Sequence, residues 1–155
     1  MMMHLCCDVL NLLSGKTLVT AESCTGGGIG AALTAIPGSS KVYRGGIISY
    51  TNAVKTKQLG VDPELLDRVG AVSAPVAEAM AQGARCALDA DIAVSVTGLA
   101  GPDGDDFGNC VGTVFVGYAD TDIVISRKFQ FSGNREEVRT QAIAAALTLV
   151  LEYNK

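Results

Sequence analysis

Apolar positions recur at helical spacing from Leu5 to Leu13 and stop at Ser14-Gly15, where glycine takes the left-handed conformation that closes a helix. Thr17 to Ala21 is short, apolar and β-branched, which predicts a strand. Gly26 to Ile36 returns to helical character and is stopped by Pro37-Gly38, so a strand-turn-helix unit is centred on Ser23. Val42 to Tyr50 reads as another strand, with Gly45-Gly46 marking a bulge or close backbone approach, and Asn52 to Leu59 as a short helix. Pro63 starts a further helix. Pro75, at a first helical position, opens the alanine-rich stretch to Leu88, and Ile92 to Thr97 is a strand leading into the glycine-rich turn Gly98 to Gly104. Val111 to Tyr118 and Ile123 to Phe131 are β-rich, and the short Ala119-Asp120-Thr121-Asp122 link favours an antiparallel hairpin. A final helix runs from about Arg135 to Glu152.

Strands alternating with helices, plus one hairpin, predict an α/β fold: a three-layer α/β/α domain whose mixed sheet is covered on both faces. At 155 residues, without a repeat or linker, the chain is expected to form one domain over residues 1–155. An apolar fraction of 48% with 18% charged residues excludes a disordered chain.

A net charge of −4 with no run of Lys or Arg gives no long-range attraction to phosphate backbones or anionic lipid, which argues against nucleic acid and membrane as partners. Met1 to Leu13 lacks a basic start, is interrupted by Asp8 and is not followed by a small-residue cleavage site, so it does not read as a signal peptide and a cytoplasmic protein is expected. The five cysteines, Cys6, Cys7, Cys24, Cys86 and Cys110, are odd in number and hold no C-x-x-C pair, indicating neither a disulfide framework nor a zinc site. His4 is the sole histidine, which removes a Ser-His-Asp arrangement and a histidine-rich metal site. Neither metal nor cofactor is expected.

The stretch Glu22-Ser23-Cys24-Thr25-Gly26-Gly27-Gly28 places a hydroxyl where a strand ends and a glycine-rich helix begins. Backbone N–H groups at a helix start lack internal partners, so they are suited to holding an oxyanion beside Ser23. Equally, Ser23 is suited to capping that helix while the glycines relieve a tight turn. A phosphate cradle is disfavoured because neither G-x-x-x-x-G-K-[ST] nor G-x-G-x-x-G follows the strand. Without an available histidine, a serine nucleophile needs Lys, Tyr or a carboxylate as base, and Tyr50-Thr51-Asn52-Ala53-Val54-Lys55 offers the first two. Lys55 falls in a first helical turn, where the dipole disfavours a cation and burial lowers its pKa further. An arbitrary lysine is more commonly a solvated surface group, with Lys57 as the control.

The motifs Ala21-Glu22-Ser23-Cys24-Thr25-Gly26-Gly27, Pro37-Gly38-Ser39-Ser40, Arg44-Gly45-Gly46, Tyr50-Thr51-Asn52-Ala53-Val54-Lys55, Gly70-Ala71-Val72-Ser73 and Val96-Thr97-Gly98-Leu99-Ala100-Gly101-Pro102 follow in order over nearly the whole chain. Together they resemble the CinA C-terminal family. Active members are nicotinamide-nucleotide amidohydrolases, which convert nicotinamide mononucleotide and water to nicotinate mononucleotide and ammonia. The resemblance implies that Ser23 attacks the carboxamide, that neutral Lys55 accepts its proton, and that Tyr50 relays a proton or positions the pair. Asn52, Thr97 and Gly101, within the matched motifs, are expected in the substrate site, and a homo-oligomer is the expected assembly. Thr25 and the amides near Gly26 and Gly27 are oxyanion-hole candidates by geometry. Glu22 has two candidate roles, orienting Lys55 or capping locally.

Family members usually carry more glycines and a Glu-Lys-Pro where this chain has Asp103-Gly104-Asp105-Asp106-Phe107-Gly108-Asn109-Cys110. That segment does not follow a calcium-loop spacing and reads as a mobile loop. The resemblance also implies a standalone form, since the larger family proteins place another domain first. To bind a phosphomonoester, an acidic protein needs local cations: Arg44, and Arg135 with Arg139, which share a face of the last helix. The solvated alternative has Glu136 and Glu137 neutralising the pair. Two rival functions stay open: a non-catalytic binding or regulatory module, and an amidohydrolase for another small carboxamide.

Overall fold

In the computed structural model, which describes residues 1–155, five strands form one sheet. These are β1 (Leu18–Glu22), β2 (Tyr43–Ile48), β3 (Ile92–Gly98), β4 (Thr113–Ala119) and β5 (Val124–Gln130), in the spatial order β2-β1-β3-β4-β5. β1 runs parallel to β2 and β3, whereas β3-β4 and β4-β5 are antiparallel, so the mixed sheet and its hairpin are as the pattern predicts. Helices α1 (Met2–Leu12), α2 (Gly28–Thr34) and α6 (Arg135–Asn154) cover one face. On the other lie α3 (Asn52–Leu59), α4 (Pro63–Val69) and α5 (Ala74–Ala87).

The two-residue period of a strand sorts side chains between two cores. Ile92, Val94 and Val96 of β3 pack with Val9, Ile29 and Val138, whereas Ala93 joins Val76, Met80 and Ala84 beneath α5. The α5 face of the sheet is built from small residues for a steric reason. A Cβ on Gly117 would lie 2.2 Å from the Ala77 carbonyl oxygen, and the Ser95 hydroxyl donates to that same oxygen at 2.6 Å.

Element boundaries differ from the sequence pattern where backbone conformation decides. α2 starts at Gly28 rather than Gly26, because Gly26 and Gly27 have φ of 59° and 100° and turn the chain first. The Gly45-Gly46 signal does mark a bulge: pairing slips between Leu18 and Val19 opposite Arg44. α6 opens at Arg135 through a capping box in which Asn134 and Glu137 satisfy each other's backbone N–H groups. Within the segment 103–110, expected to be mobile, Asp105 accepts from the amides of Phe107 and Asn109 and from the Asn109 side chain.

From β1 the chain crosses one face through α2 to β2, then returns over the other face through α3, α4 and α5 to β3. Both crossovers flank β1, so its carboxyl end opens into the crevice where ligand sites form in open α/β sheets. Ser23 is the residue that follows β1.

Candidate active site

The turn after β1 is held from three directions. Ser23 N–H donates to Val96 O at 3.0 Å, and Ser49 N–H to Glu22 O at 2.8 Å, which fix the turn between β3 and the end of β2. Glu22 is buried, and its carboxyl oxygens accept from the Thr25 hydroxyl at 2.7 Å and from the Ile29 and Gly30 N–H groups at 2.8 and 3.1 Å. Arg139 donates through Nε to Cys24 O at 3.0 Å and through its guanidinium to Thr25 O at 3.2 Å. Glu22 therefore caps α2 and does not orient Lys55, and the Ser23 hydroxyl is left free of a capping role.

Lys55 reaches that hydroxyl from the first turn of α3. It is 1% exposed, while Lys57 two residues on is exposed. Its Nζ lies 3.0 Å from Ser23 Oγ, 2.8 Å from Ser49 O and 3.1 Å from Tyr50 O. A neutral amine has two N–H donors and one lone pair. As an ammonium, Nζ donates to all three oxygens. Once it is neutral, the two carbonyls can keep its two donors and free the lone pair for the Ser23 hydroxyl, whose oxygen also lies 3.5 Å from Tyr50 O. Burial lowers the amine from its ordinary 10.5 to about 8, with the Cys24 thiol pulling weakly the other way. Burial likewise pushes the Cys24 thiol up to about 11, so it is not a thiolate at neutral pH.

Ser23 and Lys55 open into a cavity of about 380 Å³ that also contains Tyr50, Asn52, Ala71, Val72, Thr97, Gly101 and Arg135. Tyr50 contributes to the pair through its backbone carbonyl. Its exposed phenol is 3.1 Å from Arg135, at the rim. Arg135 also donates to the carbonyl of Gly101, bridging the β2-α3 junction and the loop after β3. Thr97 lines the cavity, but its hydroxyl is donated to Ala71 O at 2.9 Å. Asn52 sits at the start of α3.

Five expected residues are elsewhere. Thr25 is fully buried with its hydroxyl on Glu22, the Gly26 amide donates to Ser23 O, and Gly27 lies outside the cavity lining. Arg44 sits at the opposite end of the sheet, where it donates to the carbonyls of Leu88 and Asp89. Arg139 is occupied by the Ser23 turn, so of the two arginines it is Arg135 that enters the cavity. The capping box carried a sequence signal for this choice, since Asn134-x-x-Glu137 makes Arg135 the first helical residue and puts Arg139 one turn inward. Glu136 and Glu137 form no ion pair with either arginine. One further donor beside Ser23, the Cys24 amide, is visible only in the structure. It has no acceptor within the protein and belongs to the residue after the hydroxyl, where a nucleophile elbow places an oxyanion donor.

Residues 5–154 match the CinA C-terminal domain family. A Pseudomonas putida protein named nicotinamide-nucleotide amidohydrolase PncC is 50% identical over 135 residues, covering 87% of this chain and 84% of that protein. A CinA-like protein of Geobacter sp. strain M21 is 48% identical over 140 residues, and here the chain spans 34% of the relative's length. Crystal structures of a competence or damage-inducible protein from Enterobacter asburiae and of its counterpart from Agrobacterium tumefaciens superpose with TM-scores of 0.96 and 0.95, at 33% and 37% identity. Each covers 99% of this chain, and the chain covers 98% and 96% of them. With motifs, fold and strand-end serine in agreement, this chain belongs to the CinA C-terminal domain family.

Proposed function

We propose that this protein is a nicotinamide-nucleotide amidohydrolase that releases ammonia from nicotinamide mononucleotide, using Ser23 as nucleophile and Lys55 as general base. The observation that carries the reading is the 3.0 Å contact between Lys55 Nζ and Ser23 Oγ, made by a buried amine of lowered pKa and joined to 50% identity with a relative of that name. A module that only bound ligand would have no use for a buried lysine on a serine hydroxyl, since burying an ammonium is costly.

In the first half-reaction the Ser23 proton passes to Lys55 Nζ as Oγ bonds to the carboxamide carbon. The Cys24 N–H, which has no acceptor within the protein, is the donor for the oxygen that becomes negative. The C–N bond then breaks, the Lys55 proton leaves with ammonia, and an ester to Ser23 remains. In the second half-reaction water gives its proton to Lys55 and its oxygen to the acyl carbon. Ser23 departs with the proton and the product is a carboxylic acid. Carbonyl groups of Ser49 and Tyr50 hold Lys55 Nζ in place throughout. Arg135, at the cavity rim, is the cation for the phosphate of the nucleotide. Ammonia release from nicotinamide mononucleotide by the purified protein, measured beside nicotinamide and nicotinamide riboside, tests the reading. Turnover is expected to be highest with the mononucleotide, and no release from any of the three would overturn it.

A further inference from the structure

Three successive carbonyls in the link between α4 and α5 are each taken by a side chain. Gly70 O accepts from the Ser73 hydroxyl at 2.9 Å, Ala71 O from the Thr97 hydroxyl at 2.9 Å, and Val72 O from Asn109 Nδ2 at 3.0 Å. Ala71 and Val72 line the cavity that holds Ser23. With their carbonyls committed, they present an apolar surface to the cavity that holds Lys55, adding to the apolar lining from Leu99, Ala100 and Pro102. Thr97 belongs to β3 and Ser73 to the link itself, whereas Asn109 comes from the 103–110 segment that departs from the family pattern.

That segment is built to hold the donor. Asp105 accepts from the Asn109 N–H at 2.9 Å and from Asn109 Nδ2 at 2.7 Å, so both hydrogens of the amide group are used, one on Asp105 and one on Val72 O. The Phe107 ring lies flat against Gly70, where a Cβ would fall 2.5 Å from Phe107 Cδ2. Asn109 and Phe107 thus press on the two ends of one three-residue wall.

We infer that Asn109 is a positioning residue for substrate specificity, which fixes the Ala71–Val72 wall as the surface against which the flat ring of an aromatic carboxamide lies. The inference rests on the amidohydrolase reading for the identity of that ring. Removing the Asn109 amide leaves Val72 O without its donor and frees the wall to shift. Ring binding weakens while the Ser23–Lys55 pair, held by Ser49, Tyr50 and Val96, stays in place.

The test separates the wall from the reacting pair. Calorimetry of nicotinamide mononucleotide binding compares S23A with S23A/N109A. Labelling of the serine by methanesulfonyl fluoride, a small probe without a ring, compares wild type with N109A. Loss of one hydrogen-bonded support is expected to weaken mononucleotide binding about tenfold. Labelling should proceed at the wild-type rate. F107A, which removes the other support, should weaken binding in the same direction and decides the matter if N109A does not fold. Unchanged affinity in both variants, or labelling that falls in step with affinity, overturns the inference. Binding by S23A without turnover by the wild type would overturn the amidohydrolase reading alone, and absence of binding would overturn both.

Discussion

The Glu22 carboxyl accepts the Ile29 N–H at 2.8 Å, so the residue before the serine is fastened to the start of the helix beyond it. Gly30 N–H and the Thr25 hydroxyl converge on the same group. Buried donors that lose their acceptor carry the full cost of desolvation. Glu22→Ala is therefore expected to destabilise the protein by about 3 kcal/mol or more, seen in urea unfolding, and to lower turnover by loosening the Ser23 turn. A variant as stable as the wild type would show that the helix start finds other partners.

Arg139 and Arg135 divide two tasks that the sequence alone left joined. Arg139 holds Cys24 O and Thr25 O, so Arg139→Ala should lower kcat with little change in KM. Arg135 enters the cavity, so Arg135→Ala should raise KM for nicotinamide mononucleotide by about tenfold or more, and far less for the riboside, which lacks the phosphate. Steady-state kinetics on both substrates checks the division. Effects of the opposite kind would exchange the two assignments.

Much of this architecture is legible in the sequence because strand and helix periods agree with the burial they produce. Asn52 to Leu59 coincides with α3, since Gly60 ends the helix in a left-handed conformation, and Lys55 lies on the same buried face as Leu59 four residues on. The start of α2 was not legible. A run of three glycines suits a turn as well as the start of a helix, and the positive φ of Gly26 and Gly27 in the turn that presents Ser23 delays the helix to Gly28. Local capping by Glu22 was one of the two roles its sequence position offered, whereas contacts between distant segments left no local trace, so the bond from Arg139 to Cys24 O and the tether from Asn109 to Val72 became visible only in the fold.

With Lys55 as the proposed base, the pH dependence follows from its burial. Its folded pKa of about 8 lies below the ordinary 10.5, so between these values the unfolded chain binds more protons. The sign follows: the cost of burying the ammonium is fully present below about pH 8, and stability gained from this group increases as pH rises toward 10.5. Turnover should climb through about pH 8 and level off as the neutral amine accumulates. Lys55→Arg should be inactive throughout, because a guanidinium stays protonated. An arginine variant with substantial activity would remove proton transfer to this position from the mechanism.

Cys24 lines the cavity beside Ser23 and offers a thiol as a rival nucleophile. Burial keeps that thiol protonated, and the useful donor at this position is the backbone amide, which every residue except proline supplies. Cys24→Ala should therefore keep turnover within about threefold of the wild type in the same ammonia assay. Loss of activity on the scale of a missing nucleophile would transfer the reaction to sulfur.

Ammonia release from nicotinamide mononucleotide by the wild type and by Ser23→Ala, with unfolding curves to show that both are folded, bears most directly on the central claim. The wild type should release ammonia. The alanine variant should lose turnover by at least about a thousandfold while unfolding within about 1 kcal/mol of the wild type, because one hydroxyl is removed without disturbing the Glu22 cap. An alanine variant that retains wild-type turnover would contradict the assignment of Ser23 as nucleophile.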